Sequence, residues 1–479
     1  MAIQGEHPDS LGHLATDSRK VGPGDVFIAV KGFQSDGHQF LAQVARQGAS
    51  AAIVEQFDDE VPITQVKVAN TRRLTGILAH AFAGNPEARM EIAGVTGTNG
   101  KTTVATLVYQ VLRKLGHPSA LLGTVATLIN DEKHGSRLTT PDSLELADIF
   151  NSAAEAGCRF ASMEVSSHAL DQHRTSGLNY AVAGFTNLSH DHLDYHKTVA
   201  GYATAKKLLF DGLSENAVAI VNTDDPQGEF LVRDCRAEIR RYGFVGDQGD
   251  SILENNSKGI LIEVDGVTIK SPLIGEFNAY NLALAYHISR ALGCTAEDTV
   301  TALAEAKGAP GRMEKLAVES SVPLPVILVD FAHTPDALKN VLKTLREVKQ
   351  AHQTVHVVFG AGGDRDAAKR PVMASHAEEL ADYITVTSDN PRSEDPDAIL
   401  DDIFRGFTQT DGVIREADRK TAIIKAIQRA DRDAIVLIAG KGHETHQEIK
   451  GIHHHFDDKA VAIEALQSLE ASSMQRRAN

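Results

Sequence analysis

The run Gly94-Val95-Thr96-Gly97-Thr98-Asn99-Gly100-Lys101-Thr102-Thr103 has the residue types that hold a phosphate chain. Its glycines let successive backbone N–H groups curl around phosphate oxygens, and a helix starting there adds its positive end. Lys101 is then expected at the β- and γ-phosphates, and a threonine hydroxyl beside a divalent cation. The spacing departs from GxxxxGK[ST], because Val stands at position 95 and the flanking glycines are Gly94 and Gly97. A carboxylate, Glu164, and an imidazole, His192, close two further apolar runs. Together they suit a hard cation bridging phosphates, although imidazole is an uncommon magnesium ligand and each residue alone reads as a turn or cap.

These groups need strand ends to present them. The apolar runs EIAGV, ASMEV, AGFTN, VILVD, HVVFG, ITVTS and IVLIA each pass into a polar loop: TGTNGKTT, SSH, LSHDHLD, FAHTP, AGGDRD, DNPR and GKGHE. Ordinary strand-to-helix turns explain Gly and Asp there, but not loops loaded with His, Arg, Lys and carboxylates. Ligands of open α/β sheets bind beyond the carboxyl ends of parallel strands, so two such sheets facing each other are expected to enclose one cleft. After Gly100, Val104, Leu107, Val108, Val111, Leu112 and Leu115 form one helical stripe, stopped by Gly116. A second helix is predicted from Thr334 as N-cap and Pro335 as first residue, with Leu338, Val341, Leu342 and Leu345 inward.

The reading is an α/β chain of three domains. Residues 1–88 form a small N-terminal α/β domain with strand-like runs at Val26–Val30 and Ala51–Glu55, ending at the Gly84-Asn85-Pro86 turn signal. Residues 89–312 form a central, doubly wound domain carrying the phosphate loop, and 313–479 a C-terminal, Rossmann-like α/β domain opening on Val326–Asp330. The length, 479 residues with 42% hydrophobic content, fits several cores. A net charge of −16 gives no basic field for nucleic acid or anionic lipid. Cys158, Cys235 and Cys294 are far apart, without metal-ligand spacing, which fits a reducing cytoplasm. No signal segment or membrane span is read, and the chain is expected to be a monomer. The run His453-His454-His455 reads as a solvated loop.

The loop GxxGTNGKTT resembles that of the Mur ligases and of their relative folylpolyglutamate synthase, and the likeness extends through nearly the whole chain. It implies ATP as co-substrate, bound by Gly97, Thr98, Asn99, Gly100, Lys101, Thr102 and Thr103, and magnesium held by Thr102, Glu164 and His192. EVSSH and the DHLDYH run resemble the family's metal-site segments. Tyr202-Ala203-Thr204-Ala205-Lys206-Lys207-Leu208-Leu209-Phe210 reads by itself as a helix with two exposed lysines. Its likeness to YxxAKxxLF implies that Lys206, not Lys207, carries a carbamate that ligates a second magnesium. Lys101, Lys206, His192 and Glu164 are thus the implied catalytic group. In GEFNAYN, Asn278 reads equally as an N-cap, so Asn281 is the implied adenine contact. Arg312, Asp330 and His333 are implied around the nucleotide.

Thr16-Asp17-Ser18-Arg19 and Gly24–Gly32 read locally as a turn with a β-hairpin, and resemble the family's UDP-binding domain. The match implies Ser18 and His38 near uridine. Thr139, Thr140, Ser166, Gln172 and Arg174 match positions that hold the muramoyl dipeptide or its phosphates. Asp389-Asn390-Pro391-Arg392 is by itself a turn signal. In MurE-type members of the family this form accompanies meso-diaminopimelate, whose second carboxylate a guanidinium can grip bidentately. Arg365, Gly440 and Glu444 are implied to complete that site. A site built to pair such a group disfavours an analogue lacking it by about 10⁴. The implied reaction adds meso-diaminopimelate to UDP-N-acetylmuramoyl-L-alanyl-D-glutamate through an acyl phosphate. Rival readings are a lysine-adding homologue, a folylpolyglutamate synthase-like ligase and a non-catalytic nucleotide-gated binding protein.

Overall fold

The computed structural model describes residues 2–478, except 33, 34, 136, 137, 190, 247 and 248, with side chains described up to 471. The first sheet runs Ala2–Gln4, Thr64–Lys67, Ala51–Val54, Val26–Ile28, Leu14–Ala15 in spatial order. Val26–Ile28 and Ala51–Val54 are apolar on both faces and buried throughout, as central parallel strands must be. Phe27, Leu41, Val44 and Val54 fill the core on one face. The hairpin that Gly24–Gly32 suggested does not form, because Val26–Ile28 pairs in parallel with both neighbours. At the Gly84-Asn85-Pro86 signal the chain does turn: Asn85 takes φ 54, and Pro86 opens a short 3-10 helix.

The second sheet has the order Glu238–Tyr242, Val218–Asn222, Tyr180–Phe185, Glu91–Thr96, Phe160–Glu164, Ser119–Leu122, Thr127–Ile129, Glu132–His134. Glu91–Thr96 lies in parallel between Phe160–Glu164 and Tyr180–Phe185, so three of the chemistry-bearing loops leave adjacent carboxyl ends. The helix Lys101–Lys114 follows at once. Its Val104, Leu107, Val108, Val111 and Leu112 are fully buried, each worth about 1.5–3 kcal/mol of transfer free energy.

The third large sheet runs Glu314–Lys315, Val326–Asp330, Ile435–Ala439, Val355–Phe359, Tyr383–Val386, Ile414–Arg415. The helix Pro335–Val348 is capped by Thr334, whose hydroxyl accepts from the Ala337 amide. It buries Leu338, Leu342 and Leu345, with Val341 packed partly buried beside them. His453–His455 belong to an exposed strand, Ile452–His455, paired with His446–Ile449, rather than to a loop.

The compact units do not follow chain order. One comprises Met1–Gly243 with Leu284–Thr295, the other Phe244–Ala283 with Ala296–Asn479. Part of the span 89–312 thus falls in each unit. Within the second unit the antiparallel sheet Ser251–Asn256, Gly259–Val264, Val267–Ser271 is tied to residues C-terminal to it. The Ser257 amide donates to the Val348 carbonyl at 3.1 Å, Lys315 Nζ donates to the Ser257 carbonyl, and Ile274 joins the core of Leu338 and Leu342. No helix among the described residues is long and apolar enough to cross a membrane.

Candidate functional site

Gly97 and Gly100 take φ 149 and φ 87, which only glycine adopts without strain. A Cβ on Gly97 would stand 1.8 Å from Thr186 Oγ1, so the loop also needs a missing side chain there. The loop is held against residues 186–189. The Thr98 amide donates to the Asn187 carbonyl at 2.7 Å, the Asn99 amide to Asn187 Oδ1, and the Ser189 amide to Thr98 Oγ1. Thr102 and Thr103 sit in the first helical turn, and Lys101 Nζ lies inside the curl, bonded to the Gly97 and Thr98 carbonyls.

Glu164 is buried at its strand end. Its Oε2 accepts from Thr102 Oγ1 at 2.9 Å, and its Oε1 from the Thr124 amide at 2.7 Å. A Cβ on Gly123 would lie 2.5 Å from Glu164 Oε1, so that glycine keeps the carboxylate's surroundings open. Lys206 departs from its expected exposure: it is 1% exposed, with Nζ donating to the Gly97 carbonyl at 2.8 Å and standing 4.3 Å from the centre of the Tyr202 ring. Burial, then the Lys101 charge, pull its pKa well below that of an ordinary lysine. Lys207 is buried too, but ion-paired with Asp211 and Asp234. Successive helix positions point about 100° apart, which sends one lysine to the phosphate loop and the other to a structural pair. Sequence alone treated both as solvated because the apolar cover comes from elsewhere in the chain.

His192 takes φ 52 and is half exposed, with its ring edge-on to His168 at 4.8 Å. His168 also packs on Tyr195 and His196, and burial, then the neighbouring His192 and His196, lower its pKa. Among the described residues, no three His, Cys, Asp or Glu groups are spaced to hold a metal ion by themselves. Thr102 and Glu164 nevertheless form a hard-oxygen pair that fits magnesium, which usually takes one or two carboxylates and completes its shell with phosphates and water.

A cavity of 830 Å³ in the first unit is lined by Ser18, Gln172 and Arg174 together with Asp17, Arg19 and Arg72. Arg174 donates to Gln172 Oε1 at 2.7 Å and to the Thr140 carbonyl at 3.1 Å, and burial lowers its pKa. Thr139, Thr140 and Ser166 do not line this cavity but connect it to Glu164. Thr140 Oγ1 donates to the Glu164 carbonyl and accepts from the Ser166 amide, and Thr124 Oγ1 donates to Thr139 Oγ1. His38 also stands off the lining. Its Nδ1 faces Asp36 Oδ1 at 2.6 Å, and its Nε2 accepts from the Glu55 amide, so both ring nitrogens serve the fold.

A second cavity, of 360 Å³, lies in the other unit at the carboxyl ends of four adjacent strands. Arg365, Asp389, Asn390, Arg392, Gly440 and Glu444 all line it, while Pro391, buried between two of them, does not. Among the described residues Arg365 makes no hydrogen bond, and Asp389 Oδ1 is buried without one, 3.7 Å from Lys441 Nζ. Arg392 donates to Glu448 Oε2 and to the Gly363 carbonyl. Asn390 Nδ2 donates to Glu444 Oε2 at 3.1 Å. Burial works to raise the Glu444 pKa, but Lys441 and the Asn390 bond outweigh it and hold it below the usual range.

Sequence reasoning passed over the cations beneath this cavity. Lys441 is fully buried and reaches Asn390 Oδ1 at 3.0 Å and Glu444 Oε2 at 3.3 Å. Its place inside GKGHE was the available signal. Arg419, paired with Asp458, donates to the Ser388 and Ala439 carbonyls just before Asp389 and Gly440. No local pattern marks that pair, because its members come from distant helices.

The residues implied on the nucleotide's far side are engaged within their own unit. Asn278 lies inside the helix Glu276–Ala291 rather than capping it, donates to the Ile274 carbonyl, and accepts from Asn281 Nδ2 at 2.9 Å. Arg312 stacks over the Phe331 ring. Asp330 accepts from the Met313 and Ala332 amides, with burial raising its pKa, and His333 is exposed at the mouth of the 360 Å³ cavity.

Three family models match the chain: Mur ligase family, catalytic domain, over residues 11–84; Mur ligase middle domain over 95–288; and Mur ligase, glutamate ligase domain, over 311–442. A Phocaeicola vulgatus protein named UDP-N-acetylmuramoyl-L-alanyl-D-glutamate--2,6-diaminopimelate ligase is 42% identical over 465 residues, 96% of each chain. A Bacillus cereus protein of the same name is 42% identical over 476 residues, covering 96% of this chain and 95% of that one. A solved structure of a ligase so named superposes with TM-score 0.74 at 33% identity, over 96% and 95% of the two chains. A Mycobacterium tuberculosis folylpolyglutamate synthase complexed with ADP shares the fold at TM-score 0.60 and 21% identity, over 78% and 92%. With models matched along most of its length and relatives this similar over nearly all of it, the chain belongs to the Mur ligase family.

Proposed function

We propose that this chain is an ATP-dependent, ADP-forming ligase that joins meso-diaminopimelate to the D-glutamyl carboxylate of UDP-N-acetylmuramoyl-L-alanyl-D-glutamate, a cytoplasmic step of peptidoglycan assembly. The observation that carries this reading is the 360 Å³ cavity, where Arg365 and Arg392 stand with Asp389 and Glu444. Asp366, Lys369 and Arg370 also line it, and within that mixed set Arg365 and Arg392 suit the carboxylates of a diamino diacid while Asp389 and Glu444 suit its ammonium groups. The names of the relatives agree with it.

The γ-phosphoryl group of ATP passes to the free carboxylate, giving an acyl phosphate and ADP. The amine then attacks the acyl carbon, and inorganic phosphate leaves from a tetrahedral intermediate. Alignment and charge stabilisation dominate such a reaction. The loop 97–103 binds the phosphate chain through its amides, and Lys101 offsets charge on the transferring group. Thr102, Glu164 and His192 would hold magnesium, which supplies positive charge against the phosphates when bound. Lys206 serves as a carbamate: burial and the Lys101 charge disfavour its ammonium form, which favours the amine that adds carbon dioxide with loss of a proton, replacing a cation with oxygen donors. The Thr139, Thr140 and Ser166 hydroxyls extend from Glu164 toward Arg174, a polar track on which the acceptor carboxylate is oriented.

Phosphate release measured with UDP-N-acetylmuramoyl-L-alanyl-D-glutamate, ATP and either meso-diaminopimelate or L-lysine tests the proposal. Turnover should need the nucleotide-linked dipeptide and strongly prefer diaminopimelate. Equal rates with both amino acids, or with neither, would defeat it.

A further inference from the structure

The strand His446–Ile449 runs beside residues 389–392 and is bonded to them at several points. Gln447 Nε2 donates to the Asp389 carbonyl at 2.7 Å, and the Glu448 amide donates to Asn390 Oδ1 at 2.9 Å. The Arg392 amide donates to the Glu448 carbonyl at 3.0 Å, and the Lys450 amide to the Arg392 carbonyl at 2.6 Å. This clamp holds Arg392 at φ 51, a left-handed conformation that a long side chain rarely adopts unaided. Arg392 Nε donates to Glu448 Oε2 at 3.1 Å and Nη1 to the Gly363 carbonyl at 2.7 Å, while Nη2 has no hydrogen bond among the described residues.

A guanidinium is planar, so fixing Nε and one Nη fixes the whole fork. Glu448 therefore sets the plane of Arg392 from outside the cavity lining. Its negative charge also reduces the general pull of Arg392 on any anion, leaving directed hydrogen bonding as the larger part of recognition. We propose that Glu448 is a positioning residue for amino-acid selection: it orients the Arg392 fork for the distal carboxylate of the incoming diamino acid. The inference rests on the diaminopimelate reading above. A part-buried ion pair with no such role would affect stability rather than the choice of amino acid, and the two cases separate kinetically.

The experiment compares wild type, Glu448→Ala and Glu448→Gln, using the full chain and both amino acids. Alanine should raise the KM for meso-diaminopimelate about tenfold or more, and lower the diaminopimelate-to-lysine ratio of kcat/KM by a similar factor. The kcat at saturation and the KM for ATP should stay within about twofold. Glutamine keeps an oxygen that accepts from Nε, and should restore KM to within about threefold of wild type. An unchanged amino-acid ratio in Glu448→Ala would overturn the inference. So would an equal loss with every substrate accompanied by a lower melting temperature, which marks a purely structural pair. Wild type that does not use diaminopimelate would instead bring down the reading beneath it, and that failure is visible before any variant is made.

Discussion

Lys206 shows how far one side chain's role depends on its surroundings. In the sequence it is half of a Lys-Lys pair on a helix, and in the fold it is a buried amine at the Gly97 carbonyl with its proton affinity suppressed. Lys206→Arg cannot form a carbamate, and should abolish phosphate release while leaving the melting temperature near that of wild type. Lys206→Ala should recover part of its turnover when acetate or another short carboxylate is added, because a soluble oxygen donor can occupy the vacated space. Carbon-13 NMR with labelled bicarbonate should show a carbamate resonance in wild type that is missing in both variants. Full activity of the arginine variant would end the carbamate role. The position was legible only through the family resemblance, since no periodicity distinguishes residue 206 from residue 207. Arg392 was legible in the same way: by itself its segment is a turn signal, and only the family resemblance implied carboxylate recognition, while the Glu448 that aims it gave no signal.

At the scale of elements, the strands and helices were largely legible because burial imposes its period on the chain. The stripe after Gly100 and the Thr334-Pro335 start both became helices where the apolar spacing demanded. What holds neighbouring strand ends together was not legible. Arg419, the first residue of the helix Arg419–Arg429, pairs with Asp458 at the start of Asp458–Ala478, both fully buried, and ties down the ends of two strands. Asp458→Asn leaves an uncompensated guanidinium in the interior and should cost about 3–5 kcal/mol in urea unfolding, with KM for the amino acid rising as well. A second element carries a pH effect. His356, in the strand Val355–Phe359, has its pKa lowered from 6.5 to about 4 by burial and then by Arg429. As pH falls, the unfolded chain takes up that proton first, so the stability present above pH 6.5 is progressively lost down to about 4. His356→Gln should flatten this part of the acid branch in urea titrations at stepped pH. An unchanged acid branch would show that His356 does not control it.

Across the whole molecule, the two cavities belong to different compact units, so the substrate roles proposed for them should be separable by substitution. Arg174→Ala should raise the KM for the nucleotide-linked dipeptide about tenfold or more and leave that for the amino acid nearly unchanged, and Arg392→Ala should do the reverse. Steady-state kinetics with each substrate varied in turn checks this, and a variant that raises both constants equally would contradict it. The sequence by itself determined the α/β class, the phosphate loop and the strand-end placement of the chemistry, because alternating burial and glycine-dependent turns are local constraints written in consecutive residues. Tertiary structure alone decided that Lys206 is buried while Lys207 pairs with acids, and that His38 serves the fold. It also decided that the sheet within residues 251–271 is tied to Lys315 and Val348, and that Lys441, Arg419 and Glu448 lie behind the residues of the 360 Å³ cavity. Apart from the local Lys207–Asp211 and His38–Asp36 contacts, those outcomes depend on partners well away in the chain, whose desolvation and charge act through space and leave no trace in the spacing of neighbouring residues.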